Sequence, residues 1–392
     1  MLADTVDRTP WKRPVNTKKS AVGQKSSLET VRSQIDLTLQ TRLDEVRDGF
    51  VASSSQRIVE EVTRATVRQG GRIRPLLCCC GYAACGGDGG PMDERIILAA
   101  SSLELLHTFA ILHDDVMDGS SMRRGEATIH RRVSDEHRAS GFPGDSERHG
   151  DSERYGVSVA ILAGDLALVI SDSLLAQSGF SPDRLNDAAV PLTRMRLDAI
   201  AGQYLDLKHT GRGVTDPNLT ARIARLKTGS YSVEGPLVMG ATLAGACDNA
   251  KTALQAFARP LGEAFQLTDD LLGMFGDPAV TGKSADNDLR QGKPTSLMAN
   301  AMSLASTAMK ENILTAWGDP SSSDEDLEIL RKTVYESGAV KSMIRSINVL
   351  VAEAKAALMD PQAHGLVPAP CAQMVELAES IVARARQLGR SG

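Results

Sequence analysis

Asp114 and Asp118 stand four residues apart in the segment 101–130, SSLELLHTFAILHDDVMDGSSMRRGEATIH, and Arg123 and Arg124 follow them. At about 100° per residue, His107, Asp114 and Asp118 share one face of a helix. The two aspartates are then about 6 Å apart along the axis, one turn. Carboxylates so placed repel unless a cation sits between them. Mg²⁺ suits the position, because it takes one or two carboxylates, keeps several waters and completes its octahedron with phosphate oxygens. The forked guanidinium groups of Arg123 and Arg124 can meet the same phosphates. The plain alternative is a solvated acidic helix end followed by a basic loop.

A second segment repeats the pattern. Asp269 and Asp270 lie near the end of the stretch 250–275, and the loop 276–294, GDPAVTGKSADNDLRQGKP, brings Lys283, Arg290 and Lys293 behind them. Acids that hold metal ions beside cations that hold oxygens describe a diphosphate site better than a protein contact face. Metal ions with a ring of cations stabilise a departing diphosphate electrostatically. The turn 69–75, QGGRIRP, adds two arginines that could present guanidinium groups to an anion.

These groups need helices to hold them. Val31, Ile35, Leu37, Leu39, Leu43 and Val46 recur at near-helical spacing. Further helices are expected over 55–67, 76–84, 92–117, 157–178, 183–209, 220–231 and 250–275. Others follow from 296 to about 388, with breaks near 318–323 and 361–370. The segment GPLVMGATLAGA, 235–246, is rich in small residues and suits close helix packing. Residues 133–155 are polar, with GDSERHG nearly repeated as GDSERYG, and are expected to form a surface loop. An aspartate buried at Asp165, in AILAGDLAL, would need partners. Strand-like alternation is absent. The expected architecture is all-α, a large single-domain helical bundle (28–392) around a central cavity, after a disordered extension (1–27).

Composition agrees: aromatics are only 4% of the residues, and Ala and Leu are abundant, which favours helices over sheets. A net charge of −5 argues against a general nucleic-acid binder. The six cysteines form no paired CxxC zinc pattern, and Cys78, Cys79 and Cys80 read as small buried residues. No apolar run approaches a membrane span of roughly 18 residues, and the start lacks a signal-like apolar core. The expected location is the cytoplasm.

The motifs together resemble the trans-isoprenyl diphosphate synthases of the polyprenyl synthetase family. ELLHTFAILHDDVMDGSSMRRG is similar to the family's first aspartate-rich region, and QLTDDLLGMFGDPAVTGKSADNDLRQGKPT to its second. AILAGDL, GQYLDL and LKTGSYS lie between them in family order. The resemblance implies an isoprenoid synthase-like fold, a homodimer and three Mg²⁺ per site. Asp114, Asp118 and Asp269 would hold the metal, with Asp115 and Asp270 in support. Arg123, Lys283 and Lys293 would bind an allylic diphosphate (dimethylallyl, geranyl or farnesyl). Lys227, Thr228 and Gln266 would stand beside the allylic carbon, and Lys227 would also meet phosphate. Arg72 or Arg74, with His107 and Arg124, would bind isopentenyl diphosphate. The plain alternatives, weaker than these roles, are a core histidine for His107 and an ordinary helix surface for Lys227 with Thr228. Gln203 and Asp206 read as support behind the ligands, and Tyr231 as packing or site.

Two departures stand out. The family's glycine turn reads GKRxRP, whereas Gly71 replaces its lysine, unless Arg72 swings in. Gly273 stands where the second aspartate motif has a third Asp. For product length, the resemblance points to Phe109 and Ala110 as the floor beneath the growing chain. An ideal wheel sets Ala110 about 40° from Asp114 but Phe109 about 140° away. This pairing is similar to geranylgeranyl (C20) synthases, with farnesyl (C15) next. A non-catalytic regulatory partner of a synthase and a terpene cyclase are the readings from other classes. The isopentenyl-type turn and His107 weigh against the cyclase.

Overall fold

On the first helix, α1 (Leu28–Gly49), Val31, Ile35, Leu39 and Leu43 are buried at four-residue intervals, which is one continuous stripe. Ser27 caps its N-terminus, its hydroxyl accepting from the Thr30 amide at 3.2 Å. In this computed structural model the described residues are 27–50, 55–68, 70–123, 125–140, 151–213, 215–276 and 285–388. The expected disordered start falls outside them apart from Ser27, the cap. The fold is all-α, as the sequence implies.

The chain divides into two compact units. One gathers Met1–Leu76, Pro91–His113 and Ile129–Gly179. Within it α2 (Gln56–Val67) packs on α1, burying Val59 and Val62. The long helix α4 (Glu94–Met117) contributes Ile96, Ile97, Leu103 and Leu106, all buried. The polar stretch expected to be a loop is helical at both ends: α5 covers Ile129–Ala139 and α6 covers Asp151–Ala176. Residues 141–150 lie outside the described residues. The loop expectation failed because Ile129 and Val133, one turn apart and buried, are enough apolar surface to seat α5. Ion pairs from Arg132 to buried Glu61 and from Arg57 to Glu136 (2.7 Å) complete the attachment to α2. Gly156 on α6 is a point of close approach, since a side chain there would overlap the His130 carbonyl.

The other unit gathers Leu77–Gly90, Asp114–Thr128 and Phe180–Gly392. Here α7 (Pro182–His209) starts at a Ser181 cap with proline in its first turn. Helix α8 (Pro217–Ala224) runs directly into a π-helical stretch, Arg225–Glu234, and then α9 (Gly235–Ala244). The sequence predicted one ordinary helix over 220–231. A wide π turn changes no residue pattern and so leaves no signature. The next helix, α10 (Asp248–Phe275), packs along α15 (Ala339–Ala357), the π stretch and α16 (Pro368–Leu388). Between them come α11 (Ala285–Gln291), α12 (Ser296–Leu304), α13 (Thr307–Ala316) and α14 (Asp324–Glu336). Leu271, Leu297, Trp317, Leu330 and Ile347 share one buried core there. A two-stranded hairpin, β1 (Met122–Arg123) with β2 (Glu126–Ala127), departs from the strand-free expectation.

Helix α3 (Ile73–Ala84) carries Cys78, Cys79 and Cys80, all buried and free. Burial pushes the Cys80 thiol up to about 12, so it stays protonated and inert. Two helical stretches, Glu94–Met117 and Ser152–Ala176, are long and apolar enough to cross a membrane by composition, contrary to the sequence reading. The first is mostly buried in the protein, as a core helix is. Asp165 is exposed, so it carries none of the burial cost the sequence raised.

Candidate active site

The last turn of α4 carries Asp114 and Asp115, and Asp118 follows directly; all three lie in the second unit. The β1 strand just after them turns Arg123 back onto these acids. Its Nε donates to Asp115 Oδ1 and Oδ2 at 2.7 and 2.8 Å, and its Nη2 lies 3.3 Å from Asp114 Oδ2. Burial alone would lower the Arg123 pKa, but Asp115 and then Asp114 raise it, so the guanidinium is held charged.

Lys227 arrives from the π-helical stretch. Its Nζ donates to Asp206 Oδ2 at 2.6 Å and lies 3.0 Å from Asp114 Oδ1. Asp206 stands near the end of α7, whose Gly202 lets the backbone at Lys227 approach; a side chain at 202 would overlap the Lys227 amide. Burial works against the ammonium, yet Asp114 and Asp206 raise its pKa and keep it protonated. Lys293, just past α11, pairs with Asp118 and stands 3.2 Å from Asp288 Oδ1. Gln291 donates to the Asp118 carbonyl at 2.6 Å. Burial and neighbouring Asp114 push the Asp118 carboxyl up, against the pull of Lys293 and Lys227.

Three distant segments therefore meet on one helix end. The cluster holds Asp114, Asp115, Asp118, Asp206 and Asp288 against Arg123, Lys227 and Lys293, so acid exceeds base. Asp206 belongs to the ion-pair network itself, as the partner that fixes Lys227. Asp288 and Gln291 were missed in the sequence, although both lie in the same charged segment as Lys293.

The second acidic pair is divided. Asp269 is exposed, whereas Asp270 turns inward, accepting from Gln266 Nε2 at 2.7 Å and from the Ser296 amide at 2.9 Å at the start of α12. Burial pushes Asp270 up to about 7, with Asp269 adding to it and the donors opposing. Gln266 Oε1 is buried with no hydrogen-bond partner among the described residues. Thr228 is half-buried on the π stretch, and Tyr231 is buried there. Arg290 is turned away to Asp324 at 2.7 Å. Arg124 and Lys283 lie outside the described residues.

The remaining predicted positions lie in the first unit. Arg72 does not swing toward an anion. It is 3% exposed, with Nε on Asp36 Oδ1 and Nη1 on Glu104 Oε1, each at 2.6 Å, and Nη1 also on the Thr66 carbonyl at 2.8 Å. It also holds φ at +49°, unusual for a residue with a side chain. Its guanidinium is committed to the scaffold; Arg74, the second residue of α3, is half-buried. His107, Phe109 and Ala110 are half-buried on α4.

Comparison with known proteins gives this geometry a family. The sequence pattern of the polyprenyl synthetases matches residues 56–334. A geranylgeranyl diphosphate synthase of Mycobacterium tuberculosis is 30% identical over 340 residues, 86% of this chain and 89% of that one. A geranylfarnesyl diphosphate synthase of Aeropyrum pernix is 32% identical over 278 residues, 70% of this chain and 78% of that one. The crystal structure of geranylgeranyl pyrophosphate synthase from Corynebacterium glutamicum, complexed with isoprenyl diphosphate and magnesium, is 33% identical. It superposes with a TM-score of 0.84 over 92% of this chain and all (100%) of that one. Acidic helix end, converging cations and sequence pattern agree: the chain belongs to the polyprenyl synthetase family.

Proposed function

We propose that the chain is a Mg²⁺-dependent prenyltransferase that condenses isopentenyl diphosphate with an allylic diphosphate to give geranylgeranyl diphosphate, working through residues 28–392. The observation that carries this reading is the convergence of Arg123, Lys227 and Lys293 on Asp114, Asp115 and Asp118. It is the arrangement a diphosphate with its counter-ions requires.

The donor set fits the metal. Asp114, Asp115, Asp118 and Asp269 offer hard carboxylate oxygens, the donor type that Mg²⁺ takes. Such a site leaves coordination to be filled by water and substrate oxygens, which is how Mg²⁺ is held. Asp114, Asp118 and Asp269 would be the ligands, with Asp115 and Asp270 behind them. Bound there, three ions per site in this reading, Mg²⁺ neutralises charge on the diphosphate as it leaves.

In the reaction the allylic C–O bond breaks and its electron pair stays on the diphosphate. The alkene of isopentenyl diphosphate attacks the allylic carbon, and a proton passes to the released diphosphate. Arg123, Lys227, Lys293 and Lys283 hold the diphosphate oxygens. Gln266 Oε1, its amide nitrogen already spent on Asp270, aims a dipole at the developing cation, with Thr228 as the second oxygen. Arg74, His107 and Arg124 take isopentenyl diphosphate. Phe109, with Ala110, forms the floor that stops growth at C20.

The active form in this reading is a cytoplasmic homodimer. Free thiols on six cysteines suit a reducing compartment. Val190, Leu197, Ile200, Tyr204 and Leu207 leave one face of α7 apolar and exposed, which supports a second copy as its cover. The test is incubation of pure protein with Mg²⁺, labelled isopentenyl diphosphate and each allylic primer, followed by sizing of the products. A C20 product is expected. A C15 product would make it a farnesyl synthase. No elongation with any primer would overturn the reading and favour a regulatory partner, which Gly71 and Gly273 motivate. Consumption of a prenyl diphosphate without isopentenyl diphosphate would favour a cyclase.

A further inference from the structure

The HDD sequence of α4 contains a residue the reaction does not use. His113 meets α6 within the first unit. Its Nε2 lies 3.1 Å from the Ile161 carbonyl oxygen, and since a carbonyl only accepts, Nε2 carries the proton. Asp165 Oδ1 lies 3.7 Å from the same nitrogen. The ring rests on Gly164: a side chain there would overlap both Nε2 and Cδ2. One turn back along α4, Phe109 meets the His113 ring edge-on, with centroids 4.8 Å apart and planes at 65°. The imidazole is thus fixed from behind by glycine and carbonyl, and in front it fixes the phenyl ring. The same contacts explain how Phe109, well off the aspartate face on an ideal wheel, is held in one orientation.

We propose that His113, seated on Gly164, is a positioning residue for product length: it braces Phe109 and so sets where chain growth stops. The claim rests on the synthase reading and on Phe109 as floor. Without its brace the phenyl ring can take a second helix-compatible rotamer and let the hydrocarbon pass. The backstop needs both a ring at 113 and no side chain at 164.

The experiment compares product sizes from the full-length parent, His113→Ala, Gly164→Ala, Phe109→Ala and the His113→Ala/Phe109→Ala pair, with labelled isopentenyl diphosphate and dimethylallyl diphosphate. The expected result is about a tenfold rise in the ratio of C25 and longer products to C20 for His113→Ala, what one aromatic edge contact at the upper end of its strength yields in rate partitioning. Gly164→Ala should shift the same way, and the double variant should match Phe109→Ala alone, because both act through one ring. The rate of the first condensation should stay within about twofold for His113→Ala, a split that general loss of folding would not give. If Phe109→Ala lengthens the product and His113→Ala does not, the brace is refuted while the synthase stands. If neither lengthens it, Phe109 is not the floor and the proposal falls with that assignment. If the parent makes no product, the synthase reading fails first.

Discussion

Replacing Arg72 tests the claim that it holds the scaffold and does not bind ligand. Its guanidinium and Glu104 are both buried, 3% and 5% exposed, and 2.6 Å apart. Arg72→Met would strand the Glu104 carboxylate, and leave Asp36 and the Thr66 carbonyl without that donor. Breaking a buried pair on one side costs roughly 3–5 kcal/mol, chiefly because the remaining charge is uncompensated. Removing both charges together, as in Arg72→Met/Glu104→Met, leaves no orphan and should recover about half of that loss or more. Arg72→Gly would relieve the positive φ, worth about 1 kcal/mol, but still strands Glu104, so it should fall between them. The assay is chemical denaturation of all four proteins, read as midpoint with shared slope. A single variant costing under about 1 kcal/mol, or a double variant no better than the single, would refute the reasoning.

Other outcomes follow from the same contacts. Asp118→Asn should lower turnover by about 10³-fold, the scale of losing one preorganised electrostatic group, measured at saturating Mg²⁺. Gly273→Asp should fold normally, because a side chain there meets nothing within 4 Å. It should lower the Mg²⁺ concentration for half-maximal rate severalfold, since an added carboxylate ligand strengthens a Mg²⁺ site; an unchanged midpoint would show that position 273 takes no part. On the exposed face of α7, Leu197→Glu with Tyr204→Glu should convert a dimer to monomers in sedimentation. A dimer that survives both changes uses another face.

Helix identities and both acidic segments were legible because they are local: an apolar stripe along α1, or two aspartates one turn apart, needs only neighbours in sequence. Lys227 and Lys293, named through the motifs around them, pair with Asp114 and Asp118. The place of Arg72 was not legible, for the opposite reason. A GGRIRP turn looks cationic, and nothing near it in sequence announces Asp36 and Glu104, its partners 36 and 32 residues away. Arg290 reads as part of the same basic loop as Lys293 but pairs with Asp324, 34 residues on. Helix α5 was hidden by its polar majority, since two apolar residues and ion pairs to α2 suffice to seat it. The π stretch at Lys227 is a change in backbone hydrogen bonding with no compositional mark.

The central claim is that the Asp114 and Asp118 helix end, with Arg123, Lys227 and Lys293, is a metal-assisted diphosphate clamp. Calorimetric titration of the pure protein with a non-cleavable allylic diphosphate analogue, with Mg²⁺ and again with chelator, tests it directly, Asp114→Asn/Asp118→Asn serving as the comparison. The account predicts saturable binding that requires Mg²⁺ and is lost in the double variant. Binding of equal strength with chelator present, or unaffected by the two substitutions, would contradict it.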